Sequence, residues 1–228
     1  MANHFDLEEQ EQLDQIKHFW STWGTLISSV LIVVFGAIAA WNGYQYWQNR
    51  QASQAAALAD AMDSAVASAD TARIEQVFSD MKSRYGGTVQ AGQAGLLSAK
   101  ALFDAGKLDA AKAELTWLAQ NASDEGYKAL ARLRLAGVLI DEKAYDEAMK
   151  QLSGSVPAGF DAAFADRKGD VLALQGKKAE AIAEYERAYK AFEDRVDYRR
   201  LVEVKLNALG ASVPQQSVAV ATSSGGVQ

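Results

Sequence analysis

The sequence contains no cysteine, which excludes disulfide frameworks, thiolate zinc sites and cysteine nucleophiles. Its two histidines, His4 and His18, both lie near the N-terminus, so no histidine-based triad or multi-histidine metal site can form in the rest of the chain. Only two prolines, Pro157 and Pro214, interrupt 228 residues, and with abundant alanine this predicts helix. No segment alternates apolar and polar residues between turn signals, so no sheet is expected. Basic side chains (23) are outnumbered by acidic ones (29), for a net charge of −6, and nucleic acid is therefore a poor partner.

Charge is missing altogether from residues 21–49, between an acidic segment, 1–20, and a long charged region from Arg50 onward. Within that gap Gly24 to Trp41 reads GTLISSVLIVVFGAIAAW. Eighteen helical residues span roughly 27 Å, close to a hydrocarbon core of about 30 Å. Thr25, Ser28 and Ser29 are tolerated there because a hydroxyl can bond back to a carbonyl one turn earlier. Phe19, Trp20 and Trp23 flank one end, and Trp41, Tyr44, Tyr46 and Trp47 the other, the placement of aromatic girdles at two headgroup layers. The reading is a transmembrane helix with its flanks at 21–47. A cleaved secretory signal ending at Ala37-Ile38-Ala39 is the rival, but the chain begins acidic and the apolar run exceeds the usual length. Lys17 on one side and Arg50 on the other do not decide orientation by the positive-inside rule.

Beyond the span the sequence predicts helical hairpins. Ala55, Leu58, Met62 and Val66 recur at helical spacing, then Ile74, Val77, Phe78, Met81 and Tyr85, with Asp70 as N-cap and Gly86-Gly87 as the stop. Further hairpins are expected over about 91–121, 126–153 and 161–192, and a last helix over 195–209 carrying Tyr198, Val202, Leu206 and Leu209 on one stripe. The three hairpins align on Gly106, Lys143 and Gly176. Seven positions earlier stand Ala99, Ala136 and Gly169; four earlier, Leu102, Leu139 and Leu172; five later, Ala111, Ala148 and Ala181; nine later, Leu115, Leu152 and Tyr185. This period near 34 resembles the tetratricopeptide repeat, with Lys143 in place of a turn glycine. The expected fold is all-α: one N-terminal transmembrane helix, then a helical-hairpin solenoid over 48–210. Residues 211–228, uncharged and rich in Ser, Gln and Gly, are expected to be disordered.

The chain as a whole resembles a known family. The residues that carry the likeness are Ala40-Trp41-Asn42-Gly43-Tyr44-Gln45-Tyr46-Trp47, Leu130-Ala131-Arg132-Leu133-Arg134-Leu135-Ala136, Asp166-Arg167-Lys168-Gly169-Asp170 and Val204-Lys205-Leu206-Asn207-Ala208-Leu209. In this order they resemble the YfgM type of ancillary subunit of the bacterial SecYEG translocon. The resemblance implies a single-pass inner-membrane protein with a cytoplasmic N-terminus and a periplasmic repeat domain. It also implies association with SecYEG and with the membrane-anchored periplasmic chaperone PpiD, in aid of exported proteins. A cell-envelope scaffold that holds fixed partners without handling clients is the alternative, and a cytoplasm-facing adaptor of reversed topology is a third.

The first helix of each hairpin lines the concave side of such a superhelix. That places Leu96, Lys100 and Phe103, then Leu133, Gly137 and Ile140, then Asp166, Asp170 and Ala173 on one surface, apolar at one end and acidic at the other. An apolar stripe of this kind suits an unfolded segment or a partner helix, although Leu96, Leu133 and Ile140 could equally pack within the solenoid. Capture of a C-terminal carboxylate by paired Lys and Asn is not expected, since only Lys100 answers. In the span, Gly36/Ala40 and Ala39/Gly43 form two small-xxx-small pairs that suit close helix packing. Leu13, Ile16 and Trp20 form a short apolar stripe ahead of it.

Catalytic readings are weak. Asp141-Glu142 and Asp146-Glu147 sit where a hairpin turns and a helix begins, where acids favour the helix dipole. Gly176-Lys177-Lys178 lacks the upstream glycines of a phosphate loop, and there is no G-x-S-x-G or dinucleotide fingerprint. The chain is expected to be a non-enzyme without cofactor or metal.

Overall fold

The computed structural model describes residues 7–192 and 197–211, with side chains from residue 13 onward. The sequence-based expectation for 212–228, and the first residues of the acidic segment, fall outside the described residues. The described chain is helical, without a strand. It divides into two units between Gln54 and Ala55.

The first unit is the greater part of α1 (Leu7–Ala67). From Leu13 to Arg50 every residue of this helix is exposed except Gly24 and Ile27, so its apolar side chains have no protein covering. Three of its polar side chains bond back within the helix: Ser29 Oγ donates to the Thr25 carbonyl at 2.7 Å, Thr22 Oγ1 to His18 at 2.9 Å and Asn42 Nδ2 to Ile38 at 3.0 Å. A helix that supplies its own partners while turning apolar side chains outward is suited to lipid, and this one is long and apolar enough to cross a membrane. Gly36 and Gly43 have nothing within 4 Å of a Cβ position.

The second unit begins with the last turns of α1. It continues through α2 (Thr71–Tyr85), α3 (Val89–Asp104), α4 (Leu108–Asn121), α5 (Glu125–Asp141), α6 (Tyr145–Leu152), α7 (Asp161–Leu174), α8 (Lys178–Ala191) and α9 (Asp197–Ala208). Successive helices pack in antiparallel pairs, and α3 with α5 and α5 with α7 also touch, so the first helices of the hairpins form one layer and the second helices another. Three apolar clusters run along the stack. One joins the end of α1 to α2, α3, α4 and α5 around Met62, Phe78, Leu102 and Leu118. The next joins α5, α6 and α7 around Leu152, Phe164 and Val171. The last joins α7, α8 and α9 around Tyr185, Val202 and Leu206. Each hairpin thus buries its apolar face only against its neighbours, as a solenoid must.

The repeat alignment is legible in the backbone. Gly106, Lys143 and Gly176 all take left-handed conformations, with φ of 77°, 62° and 77°. Each is followed by the same pair of bonds: the residue itself donates to the carbonyl three back, and the next residue to the carbonyl five back, as in Lys107 N to Leu102 O at 2.9 Å, Ala144 N to Leu139 O at 2.8 Å and Lys177 N to Leu172 O at 2.9 Å. This is the Schellman closure of a helix. Ala99, Ala136 and Gly169 are buried, as are Ala111, Ala148 and Ala181, because there the two helices of a hairpin approach one another. Asp70 caps α2 by accepting from Arg73 N at 3.0 Å.

Candidate protein-binding groove

Between α3, α5 and α7 lies an open apolar cavity of about 300 Å³, at the lower end of the range for ligand pockets. Ala99 and Val138 belong to its floor, with Leu115 rising from α4, and all three are buried. Phe103, 38% exposed, stands at its edge, with Leu130 and Leu133 half-buried beside it. The helix registers place these residues: Leu130, Leu133, Gly137 and Asp141 recur at three or four residues along α5, one face of a 3.6-residue helix. Gly137 leaves the face open, with nothing within 4 Å of a Cβ position.

Of the residues expected on this surface, Lys100, Phe103, Leu133 and Gly137 line the cavity. Leu96 does not. It is 8% exposed and belongs to the first core cluster, since α2 and α4 close over that side of α3. Ile140 packs against the cluster between α5 and α7, and Ala173 against the one between α7 and α9.

The expected acidic end is an interior ion network. Asp166, 1% exposed, accepts from Lys205 Nζ at 2.8 and 2.9 Å and from Tyr198 Oη at 3.2 Å. Asp170 accepts from Lys205 Nζ at 2.7 Å and Tyr185 Oη at 2.9 Å. Helix α9 covers these carboxylates and neutralises them, because a buried charge is tolerated only when paired. Burial pushes the Asp166 carboxyl up, against the pull of Lys205. Burial likewise raises the Tyr198 and Tyr185 phenols.

In place of the acids, three cations line the cavity: Lys100 from α3, Arg134 from α5 and Arg167 from α7. Lys100 pairs with Asp104 on its own helix, and Arg167 with Asp170 at 3.5 Å. Arg134 and Arg167 were not expected from the sequence, yet a signal was present. Both stand nine residues before the turn residues Lys143 and Gly176, which gives them the same place in successive repeats.

A second buried carboxylate lies behind the groove, on α4. Glu114 is 5% exposed and its Oε2 has no hydrogen-bond partner. Burial pushes its carboxyl up to about 7. The Ser98 hydroxyl faces it without reaching hydrogen-bond geometry and opposes the shift, as does Lys82, whereas Glu75 adds to it.

Elsewhere, Glu142 of the acidic turn is bound by Lys112 at 2.7 Å and Asp146 accepts from Gln175 at 3.4 Å. Arg132 holds the end of α6, donating from Nε to Gln151 O and from Nη1 to Ser155 O, each at 2.8 Å, while its guanidinium lies 4.8 Å from the Phe164 ring centre.

The Tetratricopeptide repeat-like domain family matches residues 17–211. The Ancillary SecYEG translocon subunit of Neisseria gonorrhoeae is 37% identical over 213 residues, covering 92% of this chain and all of that protein. Those of Escherichia coli (strain K12) and Haemophilus influenzae are each 28% identical, covering 88% and 90% of this chain and 96% and 99% of their own. No solved structure matches.

Proposed function

Because the chain belongs to the tetratricopeptide repeat-like family that includes the ancillary SecYEG translocon subunits, we propose that it is itself an ancillary subunit of the SecYEG translocon. In this reading residues 1–20 lie in the cytoplasm, 21–47 cross the inner membrane and 48–210 form a periplasmic binding domain. The domain binds partners in a chaperone-like role: exported proteins as they leave the channel, and a PpiD-type periplasmic chaperone. It works by binding and not by catalysis.

The observation that carries this reading is the cavity between the first helices, whose apolar floor and exposed Phe103 face outward. Burying such a surface against an extended or helical segment releases roughly 25 cal/mol per Å². An open site of this size binds weakly, and anchoring makes weak binding useful, since tethering beside the channel raises the local concentration of clients.

A photocrosslinker introduced at Phe103 in living cells tests the proposal. Adducts with exporting chains or with a PpiD-type chaperone are expected, and consistently empty captures overturn it. Adducts of fixed stoichiometry that persist after protein synthesis is stopped would instead make the protein a scaffold. Protease added to spheroplasts checks the topology. The domain should be digested, and a resistant domain would mean the reversed orientation.

A further inference from the structure

We infer that the groove between α3, α5 and α7 selects segments that carry side-chain carboxylates beside an apolar residue, and that Arg134 is the cation that reads them. This rests on the proposed binding role of the groove and adds its chemical preference.

The chain as a whole is acidic, at −6, yet its groove is lined by three cations against one acid, Asp141. The cations come from three different helices, so the bias belongs to the assembled surface and not to any one segment. Lys100 and Arg167 are each engaged by a carboxylate of their own helix. Arg134 is exposed and, among the described residues, has neither an ion pair nor a hydrogen bond. It also shares its repeat position with Arg167 on the adjoining helix. Neighbouring helices lie about 8–10 Å apart, so both guanidiniums line the same opening; Asp170 already holds Arg167, which leaves Arg134 as the one for an incoming carboxylate. A guanidinium fork takes a carboxylate in two parallel bonds, which gives direction as well as attraction. The apolar floor beneath supplies a seat for the neighbouring side chain. A basic segment meets the opposite situation: its charge is repelled at the rim and its apolar residue cannot seat without bringing cation to cation.

Fluorescence anisotropy on the full-length protein in mild detergent tests this. The probes are three labelled, acetylated and amidated peptides with the same Phe and Leu residues, differing only in Glu, Gln or Lys at the interleaved positions. The Glu peptide is expected to bind at least about tenfold tighter than the Lys peptide, with Gln between, and the gap should narrow as salt rises. Arg134→Glu should abolish or invert the order, and Arg134→Gln should flatten it. Phe103→Ala should weaken all three peptides together. Thermal melts of the variants check folding, and Arg134, being exposed, should leave the melt unchanged.

Equal affinities, no binding, or a Glu preference that survives Arg134→Glu would overturn the inference. So would a Gln peptide with a free C-terminus that outbinds the Glu peptide, which would make the terminal carboxylate the ligand. Self-association that Arg134→Glu dissolves, without any peptide preference, would assign the groove to a second copy and also overturn it. Crosslinks from Phe103 in cells combined with indifference to peptide charge would sink this inference alone and leave the proposed function standing.

Discussion

Gly169 of α7 lies against the ring of Tyr185 on α8, so close that a Cβ at residue 169 would stand 2.5 Å from Cδ1 and Cε1. The ring is held from its far end, where Tyr185 Oη donates to Asp170 at 2.9 Å. It cannot swing away without losing that bond, and the third hairpin is built around the contact.

Alanine in place of two helical glycines should therefore have opposite effects. Gly169→Ala gains about 1 kcal/mol of helix propensity but forces overpacking that costs about 1–3 kcal/mol, and it also strains the Tyr185–Asp170 bond. It should lower the denaturation midpoint. Gly137→Ala meets nothing within 4 Å and should stabilise by about 0.5–1 kcal/mol. Urea unfolding of the two variants measures both, and a rise for each would contradict the close approach at Gly169.

Lys143 occupies the left-handed turn position that its repeat equivalents fill with glycine. A side chain there is strained by about 1 kcal/mol. Lys143→Gly should raise stability by about 0.5–1 kcal/mol, read from the same unfolding curves, while Gly106→Ala and Gly176→Ala should each lower it.

The ion network under α9 should depend on Lys205, which bridges Asp166 and Asp170. Lys205→Met leaves the buried Asp166 without the cation that binds it, since Arg167 pairs with Asp170, and this should cost about 3 kcal/mol. Adding Asp166→Asn to that variant should recover part of the loss. A double-mutant cycle gives the coupling, and additive effects would mean that Lys205 does not serve Asp166.

Glu114 makes stability fall as pH rises. Its folded carboxyl titrates near 7 and its reference value is 4.5, so between these values the unfolded chain has released a proton that the folded chain retains. Unfolding is then favoured progressively from about pH 4.5 to about 7, and the loss levels off above. At about 1.4 kcal/mol per pKa unit, the rise from 4.5 to about 7 makes the penalty at alkaline pH on the order of 3 kcal/mol. Glu114→Gln should be more stable than the parent at pH 8 and nearly equal at pH 4. Melting temperature followed across this range checks it, and parallel curves would contradict the shift.

In α1, Val33 is exposed near the middle of the apolar run. Val33→Arg should disfavour insertion by about 2.5–3.5 kcal/mol, moving protein from the carbonate-resistant pellet to the supernatant. If carbonate strips the parent chain as well, the helix does not span.

Much of this architecture was determined by the linear order of residues. Gaps in charge and recurrences of apolar residues are local properties, and a helix follows from its own hydrogen bonds and its own stripe. So the uncharged run 21–49, the hairpins and the turn positions at 106, 143 and 176 could be read directly, whereas α1 continues unbroken through residue 51, where a new segment was expected. The small–large pairing of Ala111, Ala148 and Ala181 with their facing helices was readable too, because the repeats duplicate it. The groove was only partly legible. Periodicity assigns a residue to a face of its helix but does not say which neighbour covers that face. Leu96 and Phe103 share a stripe on α3, yet the first is in the core and the second at the groove edge. Asp166 and Asp170 looked like a free acidic surface until a helix some thirty-five residues later brought Lys205 over them. Burial and charge pairing are sums over segments distant in sequence, and only the packed solenoid performs that sum.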